Sequence, residues 1–224
     1  MGARWLMVLA AMLASSPAAA DITARYAQSG SRQIAVQVRD NGDSRIVVNE
    51  GVYVSTGGET HMILTDARGT FVARQADFVS MMEELLSAIP QVPGAPTDSF
   101  AIVEGGTETV AGRGGRVFRI GAPGSQTDVM EVVISEDPEL APVGRAMATL
   151  FEPILAASTR GTPGLSDAMT GLFSRGTVLR FGQIFTLESV DTTIVPPEGF
   201  VLPSAPLSRE ALLERFQNLQ SDQP

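Results

Sequence analysis

The sequence predicts an α+β fold, an antiparallel sheet of about nine to eleven strands with roughly three or four helices packed on it. Three observations carry that prediction. Period-two alternation of apolar and polar residues fills the stretch from residue 22 to residue 73, with very short connections. The spacing then switches to threes and fours over 77–89, and again after residue 137. Between and after these helical blocks the alternation returns, at 100–134 and 178–190. Short connections make neighbouring strands antiparallel, because a parallel crossover needs a dozen residues or more.

The first twenty residues read as a secretory leader. Arg4 supplies a short positive region, residues 5–14 an apolar core, and Ser15-Ser16-Pro17 a helix break before the small residues Ala18-Ala19-Ala20. About ten apolar residues are too few to span a bilayer of about 30 Å. A signal anchor is the competing reading, and the small-residue site favours cleavage after Ala20. Residues 21–224 are then the mature chain, expected as a single domain, and losing Arg4 makes the net charge of −9 one unit more negative. With Cys 0 there is no thiol to carry a lipid anchor. The expected product is exported, soluble and not lipid-anchored, periplasmic if the source is a Gram-negative bacterium and otherwise secreted. No later run is long and apolar enough to span a membrane after cleavage.

In the mature chain, Ile22, Ala24 and Tyr26 share one strand face, and Ile34, Val36 and Val38 share the next. Asp40-Asn41-Gly42-Asp43 is a hairpin signal, read as a type I′ turn because Asn-Gly tolerates positive φ. Strands follow at 45–48, 52–54, 61–64 and 70–73. Phe78, Met82, Leu85 and Ile89, with Val79, Met81 and Leu86 beside them, mark a helix with a broad apolar face. Residues 90–98 are a proline-rich loop. Strands resume at 100–103, 108–110, 116–120 and 129–134. Asp137 and Pro138 read as the N-cap and first position of a second helix, carrying Val143, Met147, Leu150, Phe151, Ile154 and Leu155, with a kink at Pro153. A short third helix is expected over 165–173, strands at 178–181 and 184–190, and a further strand at 192–195 before Pro196-Pro197. Ser208 is a well-placed N-cap for the last helix, with Leu207 and Leu212 as a hydrophobic staple.

Composition excludes several chemistries. All 16 cations are Arg, against 25 acids, so no basic run collects phosphates, and nucleic acid is not an expected partner. Absence of Lys removes Schiff-base and P-loop lysines, and a single His removes multi-His metal sites. His61 stands at the start of a strand with no nucleophile elbow in the sequence, so it reads as an ordinary strand residue. The Asp40–Asp43 oxygens fit the turn rather than a calcium loop, which needs a distal bidentate Glu. Gly105-Gly106 and Gly112–Gly115 lie between strands without the helix N-terminus that would hold an anion, and read as a flexible hairpin. Glu83-Glu84 and Glu136, Asp137 and Glu139 resemble paired catalytic carboxylates, but sit on a polar helix face or a helix start, where acids are favourable anyway. No catalytic residue, metal site or cofactor is assigned.

The remaining signal is apolar. The mature chain has Met62, Met81, Met82, Met130, Met147 and Met169, four of them in predicted helices. Met packs adaptably and is over-used on promiscuous apolar surfaces. Helix-on-sheet core packing accounts for the pattern; so does a lid of soft side chains, Phe78, Met82, Leu85, Met147 and Phe151, over an apolar ligand.

Residues 108–118, in particular Glu108-Thr109-Val110-Ala111-Gly112 and Val117-Phe118, resemble a strand pair of the lipoprotein carrier (LolA/LolB-like) fold group. Val133-Ile134-Ser135-Glu136-Asp137-Pro138 resembles its strand-into-helix passage, and Phe200-Val201-Leu202-Pro203 its closing strand end. The resemblance implies a strongly curved antiparallel sheet, an incomplete β-barrel, whose concave face is covered by the helices. It also implies binding of lipid or acyl chains between sheet and helices, while transferring no specific ligand residue. The expected function is therefore a non-catalytic periplasmic binding or carrier protein for a hydrophobic ligand. The alternative is a structural or interaction module of the cell envelope, with a filled core and a protein partner.

Overall fold

A computed structural model of the chain describes residues 21–30, 32–49, 51–87, 100–121, 130–158 and 164–221. The leader, Ile89, the 90–98 loop and Val129 lie outside them. The element order is β1 (Ile22–Gln28), β2 (Arg32–Val38), β3 (Ser44–Val48), β4 (Gly51–Thr56), β5 (Glu59–Asp66), β6 (Gly69–Arg74) and α1 (Gln75–Ser87). Then come β7 (Ala101–Val110), β8 (Arg113–Gly121), β9 (Met130–Ser135), α2 (Ala141–Ser158) and α3 (Leu165–Phe173). The chain continues through β10 (Thr177–Phe181), β11 (Phe185–Asp191), a 3₁₀ turn (Pro197–Phe200) and α4 (Arg209–Ser221).

All eleven strands form one antiparallel sheet in the order β6-β5-β4-β3-β2-β1-β11-β10-β9-β8-β7. Two meanders therefore meet at the β1–β11 ladder, and the sheet stays open with β6 and β7 as its edges. This is the expected curved α+β architecture, with four α-helices among the described residues. Alternation sets the faces of the first meander. Ile22, Ala24 and Tyr26 pair with Val38, Val36 and Ile34, which pair in turn with Ser44, Ile46 and Val48. That face meets Leu140 of the turn before α2 and Val143, Met147 and Leu150 of α2, spaced three and four apart, in the main core. A second cluster joins Phe71 and Ala73 of β6 to Met81 of α1 and Leu212 of α4.

The opposite face is covered as well. Tyr53 pairs with Ile46, so Val52 and Val54 point away from α2, and they pack with Ile63 against Val195, Phe200 and Leu202. The covering segment is where a strand at 192–195 was expected. The ladder instead ends at Asp191, and the chain leaves the sheet as a strap. Pro196 and Pro197 have no N–H to give a ladder, which accounts for the departure. Val195 N–H donates to Asp21 Oδ2 (2.7 Å), Arg39 lies 5.7 Å over the Phe200 ring, and Leu207 N–H donates to Val72 O (2.8 Å) on edge strand β6. The strap thus crosses the back of the first meander and rounds its edge before α4 packs beside α1. Ser208 caps α4 as expected, accepting from Ala211 N–H (3.2 Å), with Leu207 and Leu212 in one cluster.

Other local expectations are corrected. The β2–β3 turn is a type I turn closed by a left-handed glycine: Gly42 N–H donates to Arg39 O (2.9 Å) and Gly42 has φ 88°. Asn41 keeps negative φ, so the loop is one residue longer than a type I′ turn. The strands expected at 100–103 and 108–110 are one strand, β7, whose register shifts between Glu104 and Thr107, at Gly105-Gly106. The β7–β8 turn is Ala111-Gly112, and Gly115 is a strand residue, not part of a flexible hairpin; a Cβ there would lie 2.7 Å from Val133 Cγ1. Asp137 heads a turn, with Leu140 N–H donating to its carbonyl (3.0 Å), and α2 begins only at Ala141.

Candidate functional site

The register places the β1–β2, β3–β4 and β10–β11 turns at one end of the sheet. α2 is anchored toward the other end. Its preceding turn reaches Thr177 at the start of β10, whose Oγ1 donates to Leu140 O (2.7 Å), and a Cβ on Gly144 would lie 2.6 Å from the same Thr177 oxygen. Further along, Gln75, immediately after β6, donates from Nε2 to Leu150 O (2.8 Å). Pro153 explains that contact. It lacks the N–H that would bond Thr149 O, and its ring crowds that turn, so a buried amide from α1 serves the disturbed carbonyls. The helix accordingly continues through Pro153.

The helix-facing side of the sheet is covered unevenly. Ala24, Val36 and Ile46 are buried, whereas Val48, Tyr53, Met130 and Phe181 are only partly buried around the main core, as are Phe151 and Ile154 of α2. Phe181 stacks on Phe185 (centroids 5.5 Å), which meets Tyr26 edge-on at 5.5 Å. Tyr26 is 0 % exposed, its hydroxyl has no hydrogen-bond partner among the described residues, and burial pushes its pKa up. Two positions along the same face, Gln28 Oε1 is also buried and has no partner among the described residues. Burial likewise raises Tyr53.

The five candidate lid residues do not gather in one place. Met147 is fully buried in the main core, and Phe151 stacks on Phe173 beside it (6.4 Å). Phe78 packs against Phe216 of α4 (5.9 Å), Met82 is half-buried on α1, and Leu85 is exposed. An open cleft of about 530 Å³ separates α1 from α2, lined in part by Ala76, Val79, Thr149 and Pro153. Two other clefts, of about 630 and 380 Å³, lie beside the β7–β8 hairpin and the start of α2, with Glu136 and Asp137 on both walls.

The charged candidates are engaged in ion pairs. Arg113 reaches Asp137 (2.7 Å) and Glu139 (2.8 Å), Arg116 pairs with Glu136, and Arg209 pairs with Glu84. Asn41 Oδ1 accepts from Asp43 N–H (3.0 Å), so the turn uses its own oxygens. His61 pairs in register with Val54, on the sheet face away from α2, and its Nδ1 is buried without a partner among the described residues. Among the described residues no three His, Cys, Asp or Glu side chains gather as a metal site, and no helix is long and apolar enough to cross a membrane. Sequence reasoning passed over Tyr26 and Gln28. The signal was there: both continue the apolar face Ile22, Ala24 with groups that need hydrogen bonds.

No family model matches the chain, and no curated protein matches it. Among solved structures it is similar to MucB. A crystal structure of MucB shares 16 % identity over 83 % of this chain and 58 % of its own, with a TM-score of 0.36. A crystal structure of MucB in complex with MucA(peri) shares 14 % identity over 84 % of this chain and 56 % of its own, with a TM-score of 0.30. The chain thus covers less than two thirds of either MucB chain.

Proposed function

We propose that this protein is a non-catalytic binding or carrier protein for a hydrophobic ligand, a lipid or acyl chain held between sheet and helices, working outside the cytoplasm as its leader predicts. The observation that supports this best is the incomplete burial of large apolar side chains, among them Tyr53, Met130, Phe151 and Phe181, around the main core. Fully burying such a side chain stabilises a fold by about 1.5–3 kcal/mol, so a core built for stability alone would close over them. A ligand chain laid against them would supply the missing cover. Met147 then belongs to the floor of the site and Phe151 to its wall, while Phe78, Met82 and Leu85 sit on α1 at its flank.

Titration with an apolar fluorescent probe, alongside unfolding of the wild type, Phe151→Ala and Met82→Ala, tests the reading. The wild type should bind the probe and both variants should change its affinity. Each truncation should cost about 1–2 kcal/mol, below the about 3–5 kcal/mol typical of a packed core Phe. Full core-sized losses without probe binding would contradict it.

A second reading, an envelope interaction module, has one observation in its favour. Ile194 (89 % exposed) and Val201 (70 %) stand out from the strap on the face away from α2. If that face holds a protein partner, Ile194→Ser with Val201→Ser should abolish the association and leave probe binding unchanged.

A further inference from the structure

We propose that Tyr26 and Gln28 form a polar subsite inside the apolar site, one that takes an uncharged hydrogen-bonding head carrying an O–H or N–H donor. The inference rests on the carrier reading and goes on to name the ligand's chemistry. The two residues sit at alternate positions of β1 on the helix-facing side, where Gln28 stands opposite Phe185 and Tyr26 opposite Ile34. Tyr26 Oη and Gln28 Oε1 are both buried without a partner among the described residues. A buried polar group left unpaired costs about 1–3 kcal/mol, so two such atoms on one face of a central strand call for a shared partner. The phenol both donates and accepts, whereas the amide oxygen only accepts. A ligand head that satisfies both must therefore bring a donor. A hydroxyl or an amide does so; an ester, an ether or a carboxylate does not. An ionised head of either sign would be costly in a desolvated place, and an anion would also face the Gln28 oxygen. Arg32, opposite Gln28 on β2, is exposed and so lies outside the buried pair.

The experiment uses displacement of a bound apolar fluorescent probe by dodecan-1-ol, by its methyl ether and by ionised dodecanoate. The wild type should bind the alcohol about five- to tenfold more tightly than the ether, the yield of one added hydrogen bond. Tyr26→Phe and Gln28→Met should each bring that ratio toward one, measured against each variant's own affinity for the probe. Tyr26→Phe should also leave the ligand-free protein at least as resistant to urea, because it removes an unpaired oxygen and no contact. Equal binding of alcohol and ether by the wild type would overturn the subsite, water then serving the pair, and leave the carrier reading standing. Tighter binding of dodecanoate, lost in Arg32→Ala, would overturn the uncharged head. Absence of probe binding altogether would sink the carrier reading and the subsite with it.

Discussion

At the scale of single residues, the best-held charge is Asp66. Arg215 of α4 donates from Nε and Nη2 to its two oxygens (2.7 and 2.6 Å), gives Gly69 O a further bond, and lies 4.2 Å over the Phe71 ring. Those bonds hold the Asp66 pKa down at about 2. A carboxylate with a depressed folded pKa contributes stability above its unfolded value, near pH 4, and loses it as pH falls through the folded one. Urea midpoints should therefore fall between about pH 4 and about pH 2, and fall less steeply in Arg215→Gln; identical slopes would refute the assignment. Asp21, the residue after the expected cleavage site, works similarly. Backbone N–H groups of Val195 and Asp40 hold its pKa low, and it ties the strap to the start of β1. Asp21→Ala should cost about 1–3 kcal/mol, because the Val195 N–H is left without its acceptor. A cost within error of zero would show that the strap does not depend on it.

At the scale of elements, α2 shows how the helices are fixed to the sheet. Alanine in place of a helical glycine ordinarily stabilises by about 0.5–1 kcal/mol. Gly144→Ala should do the reverse, by about 1–3 kcal/mol, since the new methyl meets Thr177 at 2.6 Å. Thr177→Ser would not relieve the contact, because the clash is with the shared oxygen. Gln75→Ala should cost about 1–3 kcal/mol, and less in a Pro153→Ala background, where the helix regains the N–H that Thr149 O lacks. Equal costs in the two backgrounds would separate Gln75 from the proline. The elements were legible in the sequence wherever periodicity ran long: β1 to β6, α1 and α4 with its Ser208 cap follow from spacing and capping alone. Gln75 against α2 was not legible, since nothing local links residues 75 and 150. Nor was the strap, because Thr192 to Val195 are all β-branched, as strand residues commonly are, and only Pro196-Pro197 signals the departure.

On the scale of the whole molecule, the β1–β11 ladder joins a six-strand meander to a five-strand one, and the main core includes residues from both. We expect one cooperative thermal transition for residues 21–224, as for a single domain. Two independent transitions after cleavage in the 90–98 loop would contradict that. The candidate site was half legible. The helices that border it and Phe151 came from the spacing, but which apolar groups stay partly exposed depends on where α2 crosses a sheet assembled from distant strands. An apolar ligand carried in the interior would be seen by native mass spectrometry of the protein purified from its own compartment. The expected spectrum holds a species heavier than the mature chain by one lipid-sized mass, released on unfolding and diminished in Phe151→Ala. A spectrum holding only the bare mature chain, from protein that also fails to take up added lipid, would contradict it.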